Sequence, residues 1–80
     1  MLDELKGARK VIGIKQLRRA LAAGTVRKVF LADDADPRLT DPLAEQCESL
    51  GVELERAATM KELGKAGGID IGAAAAGILR

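Results

Sequence analysis

Apolar positions along the chain switch between helical spacing and short strand-like runs. Leu2 and Leu5 are apolar, and Asp3 and Glu4 lie where carboxylates suit a helix dipole, which predicts a first helix over 2–10. Val11-Ile12 is long enough only for a two-residue strand, and Gly13 permits a tight turn. In the next segment, Ile14–Ala23, the apolar residues Ile14, Leu17, Ala20 and Leu21 fall on one side of a second helix. Lys15, Gln16 and Arg19 form a compact polar arc opposite, with Arg18 at its edge. Gly24 is the expected cap.

Val26–Ala32 contains a continuous apolar run, as in a buried strand, and a polar loop follows over 33–36. Asp41 before Pro42 makes an N-cap and first-turn pair for a third helix ending at Leu50. Leu43, Ala44, Cys47 and Leu50 give its buried stripe, and Gly51 its stop. Val52–Ala57 alternates with period two, predicting a strand exposed on one face near a sheet edge. Thr59 and Glu62 have capping-box spacing and open a fourth helix that ends at Gly67-Gly68. The alanine-rich segment 69–80 is ambiguous. Propensity favours helix, whereas the alternation of elements favours a strand of small residues. Helices alternating with strands in one short chain predict a single α/β domain over 1–80, a small sheet with helices on both faces.

Composition narrows the chemistry. The 80 residues include no His, Trp or Tyr, one Phe (Phe30), one Cys (Cys47) and one serine, Ser49. Catalytic triads, imidazole bases and zinc sites lack their parts. Phe30 and Cys47 are expected in the core. A lone cysteine fits a reducing cytoplasm, and no uncharged run is long enough to span a bilayer, so no membrane partner is expected.

The formal charge of +1 conceals a partition. Residues 1–28 carry eight cations against two anions, 29–56 carry two against eight, and 57–80 carry three against two. Charge alone leaves two readings open: a face built for a polyanion, or surface charge that remixes in the fold.

The strongest candidate site is the helix start Gly13–Arg19. Free N–H groups and the dipole favour phosphate there. Lys15 opposes that dipole unless an anion arrives. Lys15 can donate to guanine, Gln16 can accept and donate at a base edge, and Arg19 can clamp phosphate. A merely solvated helix face would show the same arc. The glycine-rich run Gly64–Gly72 matches neither phosphate-loop spacing, so capping and close packing explain it better. Asp33, Asp34 and Asp36 lack the spacing of a calcium loop and fit a loop that starts a helix.

Taken together, Gly13-x-Lys-Gln-x-x-Arg19, Leu31-Ala-Asp-Asp-Ala-Asp-Pro37, Cys47-Glu48, Lys61-x-Leu-Gly-Lys-Ala-Gly-Gly-Ile69 and Gly72-Ala-Ala-Ala resemble the L-seven-Ae family of ribosomal proteins, most closely its small bacterial YbxF-type branch. The resemblance implies a three-layer α/β/α sandwich with a small mixed four-stranded sheet, in which the alanine-rich segment is a strand. It also implies a non-catalytic, cytoplasmic, monomeric protein without cofactor, metal or small-molecule substrate. Its implied partner is kink-turn RNA, a bent duplex with tandem G·A pairs, in ribosomal or other RNA. The implied contacts are Gly13, Ile14, Lys15, Gln16 and Arg19 at the start of the second helix, and Ala58, Thr59, Met60 and Lys61 before the fourth. Lys15 and Gln16 stand where archaeal and eukaryotic members carry Asn and Glu, and Arg19 where they carry Lys. Two alternatives remain: a protein–protein scaffold of the same fold, and a small nucleotide-binding enzyme using the 64–72 loop.

Overall fold

A computed structural model describes residues 2–57 and 59–80. A 3-10 turn, Leu2–Leu5, precedes β1 (Lys10–Ile12), α1 (Ile14–Ala22), β2 (Val26–Ala32), α2 (Pro37–Leu50), β3 (Glu53–Ala57), α3 (Met60–Ala66) and β4 (Ala75–Leu79). The strand order is β1-β4-β2-β3. β2 and β3 run parallel, whereas β4 is antiparallel to both β1 and β2. α1 and α2 cover one face, packing Leu17, Leu21, Leu43 and Cys47 against Val26, Val29, Leu31 and Ala75. The 3-10 turn and α3 cover the other, packing Leu5, Leu63 and Ala66 against Phe30, Ala32, Ala76 and Ile78. This is the three-layer sandwich. Phe30 and Cys47 are core residues, and burial pushes the Cys47 thiol pKa up.

Two local expectations need correction, and one ambiguity is resolved. The helix expected over 2–10 is only the 3-10 turn, because the chain must extend to pair with β4. Arg9 O accepts from Leu79 N at 2.8 Å, and Lys10–Ile12 continue the ladder. The helix expected from Asp41 starts five residues earlier. Asp36 is its N-cap, its side chain accepting from Arg38 N at 2.9 Å, and Pro37 opens the first turn. Pro42 therefore lies inside the helix and withholds one donor from the ladder. Burial of Thr40, 2% exposed, beside the core stripe accompanies that extra turn. The segment 69–80 ends in strand β4, since its small residues sit in the middle of the sheet. A Cβ on Gly77 would stand 2.6 Å from Leu17 Cδ1 and 3.3 Å from Val26 Cγ1. Backbone pairing on both sides and burial under α1 outweigh alanine's helix propensity.

The charge partition also remixes in one place. Lys28, counted with the basic block, is 5% exposed. Its Nζ lies 2.6 Å from Glu4 Oε1, 3.0 Å from Glu53 Oε2, 3.0 Å from Glu55 Oε1, and 5.1 Å from the Phe30 ring centroid. The Glu4 contact above all holds the Lys28 pKa well above its ordinary value, against the opposing effect of desolvation. In return, Lys28 pulls the Glu4 carboxyl down from 4.5 to about 2.

A depressed carboxylate stabilises the fold above its unfolded pKa and loses that contribution as pH falls toward the folded value. The native protein is therefore expected to melt at progressively lower temperature as pH is taken from 4.5 to about 2. In Lys28→Met the three carboxylates lose the cation they share, which raises their folded pKa values relative to the native protein. The melting temperature of that variant is expected to fall less over the same acid range. Thermal unfolding followed by circular dichroism across pH checks both, and parallel acid profiles would contradict the cluster's role.

Candidate nucleic-acid interface

The start of α1 hangs from the central strand. Gly13 has φ 106° and ψ 157°, a region open essentially to glycine alone. Its N–H donates to Ala75 O at 3.0 Å, and its carbonyl accepts from Leu17 N at 3.0 Å. No side chain caps this end and no acid lies in its first turn. The N–H groups of Ile14, Lys15 and Gln16 thus lack intrahelical acceptors. Lys15, Gln16 and Arg19 are exposed, with Arg18 beside them, as the polar arc predicts. Gln16 folds back over the helix start, its Oε1 2.7 Å from where a Cβ on Gly13 would sit. Ile14 is half-buried against the α1–α2 core, so it offers the surface its backbone more than its side chain.

The start of α3 lies at the same end of the sheet. Thr59 caps it, Oγ1 accepting from Glu62 N at 3.0 Å. Met60 N donates to Asp34 Oδ1 at 2.7 Å, and Met60 O accepts from Ala73 N at 2.9 Å. Lys61 is exposed and Met60 half-buried. Ala58 lies outside the described residues. The second group of expected residues thus adjoins the first across the ends of β1, β2, β3 and the start of β4, where all three α-helices begin.

Two residues missed by sequence reasoning shape this end. Asp34, expected only as part of a helix-initiating loop, ties that loop to α3. Ile71, 75% exposed, rides on the loop between α3 and β4. That loop is pressed onto α3: a Cβ on Gly64 would overlap the Ile71 carbonyl, and one on Gly72 would lie 3.2 Å from Met60 Cβ. Close packing therefore accounts for the glycines, as their spacing suggested. An isoleucine set between Asp70 and Gly72 was the available signal.

Asp34 and Asp36, in the loop before α2, are engaged. Asp36 binds the Arg38 guanidinium (Nη2 to Oδ2, 2.8 Å), which lowers the Asp36 pKa. A groove between α1 and α2, lined by Lys15, Arg18, Arg19, Pro42, Glu45 and Gln46, adjoins this surface, with three cations against one carboxylate. Among the described residues no cluster of three or more His, Cys, Asp or Glu could hold a metal, and no helix is long and apolar enough to cross a membrane.

Residues 2–80 match the sequence profile of the Ribosomal protein L7Ae/L30e/S12e/Gadd45 family. The chain is 41% identical over 76 residues to an RNA-binding protein of Geobacillus sp. (strain WCH70), covering 95% of this chain and 93% of that one. It is 40% identical over 76 residues to the RNA-binding protein YbxF of Geobacillus stearothermophilus, with the same coverage. Among solved structures, the Giardia lamblia 15.5kD RNA binding protein superposes with a TM-score of 0.90 at 25% identity, over 99% of this chain and 70% of that one.

The loop carrying Ile71 depends on Gly64. Gly64→Ala is expected to cost about 1–3 kcal/mol, since backbone rather than a flexible side chain must move. Gly7→Ala, where nothing lies within 4 Å of the new methyl, is expected to be nearly neutral. Urea unfolding of the two variants measures the difference, and equal midpoints would contradict the packing argument.

Proposed function

The chain belongs to the Ribosomal protein L7Ae/L30e/S12e/Gadd45 family, and from that premise we propose that it recognises kink-turn RNA through the starts of α1 and α3. It is a non-catalytic RNA-binding member of that family, of the kind for which its bacterial relatives are named. The observation that carries the finer reading is the uncapped α1 N-terminus. It presents three unengaged N–H groups together with exposed Lys15, Gln16 and Arg19, beside a second surface at Thr59–Lys61.

Each residue then has a chemical part. The Gln16 amide carbonyl accepts from guanine N1–H and N2–H of a G·A pair, and its NH2 remains available to a neighbouring acceptor. Lys15 supplies ammonium donors for guanine O6 or N7. The Arg19 fork, one turn along, fits phosphate and orients the duplex without reading sequence. Thr59, Met60 and Lys61, with Ile71 close by, offer main-chain, aliphatic and cationic contacts to an extruded nucleotide. No aromatic ring stands at this end, so recognition relies on hydrogen bonds and shape instead of base stacking. The cost of bending the RNA is offset by phosphate and guanine contacts available only in the bent form.

Gln16→Ala is expected to weaken kink-turn binding about 10- to 100-fold, from roughly 1–3 kcal/mol of lost base contact. A straight duplex should hardly notice the change. Arg19→Ala should weaken both RNAs and flatten the dependence of log affinity on log salt by about one unit. Gel shifts against a consensus kink-turn, with its G·A pairs intact or replaced, measure these effects. Equal affinity of the native protein for the two RNAs would refute the specific reading.

A further inference from the structure

A second basic cluster lies at the opposite end of the sheet from the starts of α1 and α3. Arg80 N donates to Thr25 O at 2.8 Å, and Leu79 N to Arg9 O at 2.8 Å. The end of β4 is therefore flanked by Arg9 on one side and by the start of β2 on the other. There the register shifts between Val26 and Lys28, leaving Arg27 in a bulge, exposed between two buried neighbours. Bulges of this kind re-aim a side chain out of the ladder. At about 4.8 Å between strands, Arg9, Arg80 and Arg27 project from backbone spanning about 10 Å.

All three arginines are exposed, and none of their side chains has an ion-pair or hydrogen-bond partner among the described residues. Carboxylates are near, but Glu4, Glu53 and Glu55 all turn onto the buried Lys28 Nζ. The internal cation thus engages all three of these acids. Guanidinium groups are forked donors suited to phosphate oxygens, and three rooted on neighbouring backbone at one end of the sheet suit a polyanion better than a lone carboxylate. The seven residues of β2 put this cluster about 20 Å from the α1 start, in a molecule 29 Å in its longest dimension.

We propose that Arg9, Arg27 and Arg80 form a second site for the phosphate backbone of RNA, so that the protein bridges a kink-turn at one end and another helical segment at the other. This rests on the RNA-binding reading above. It adds that the second contact is sequence-independent and made by backbone charge alone.

Sedimentation velocity tests it with two differently labelled RNAs at low salt. The protein is first saturated with a kink-turn oligonucleotide, and a straight duplex is then added. A ternary complex is expected from the native protein. Combined Arg9→Gln, Arg27→Gln and Arg80→Gln should leave kink-turn affinity within about twofold, weaken duplex capture at least about tenfold, and lower its salt slope by about two to three. No ternary complex, or equal capture by the variant, would overturn the proposal. If kink-turn and straight RNA bind alike, the kink-turn reading fails, and the second site is judged by stoichiometry with straight duplex alone. Two duplexes on the native chain and one on the variant support it; one on both overturns it.

Discussion

The close approach of α1 to the central strand is the constraint on which the arrangement depends. β4 is hydrogen-bonded on both edges and covered on both faces, so its middle must be narrow. Ala75, Ala76 and Gly77 meet that condition, and Leu17 descends into the space where a Gly77 side chain would lie. The bond from Gly13 N to Ala75 O then fixes where α1 begins. Two residues before the same strand, the link between Ala73 N and Met60 O fixes the start of α3. Two surfaces distant in sequence are held side by side because both hang from one slender strand.

Electrostatics follow from the same packing. Lys28 lies on the α3 face of β2 beside Phe30, where an unpaired ammonium would be very costly. Three carboxylates from the 3-10 turn and β3 answer it. Breaking one side of such a cluster leaves a buried or crowded charge, which makes it a strong constraint on how those elements dock. Exposed cations stand at the α1 start and at the far end of the sheet, while Asp34 and Asp36 near the proposed RNA face are engaged.

Much of this was legible in the chain. The polar arc of α1, the limits of β2, the capping pair Thr59 and Glu62, and the positions of Phe30 and Cys47 all follow from local periodicity and cap chemistry, which neighbouring residues suffice to determine. The family resemblance extended this to the sandwich and to the strand at 75–79. Other features were hidden for physical reasons. Asp36-Pro37 and Asp41-Pro42 are equivalent cap signals, and only burial of Thr40 and the side-chain bond to Arg38 N distinguish them. The short β1, expected only as the pair Val11-Ile12, is extended to Lys10 because β4 offers it an edge.

By itself the sequence determined which residues are helical on which face, where the chain turns, and that a basic helix start with Lys15, Gln16 and Arg19 would meet solvent. Those properties depend on contacts within one or two turns. Tertiary structure alone decided that Lys28 is internal, that Asp34 braces α3, that Ile71 stands exposed beside Met60, and that Arg9, Arg27 and Arg80 share one end of the sheet. Each of those depends on segments brought together from 11 to more than 50 residues apart, and the strand pairing that joins most of them becomes definite only when β4 is buried between its neighbours.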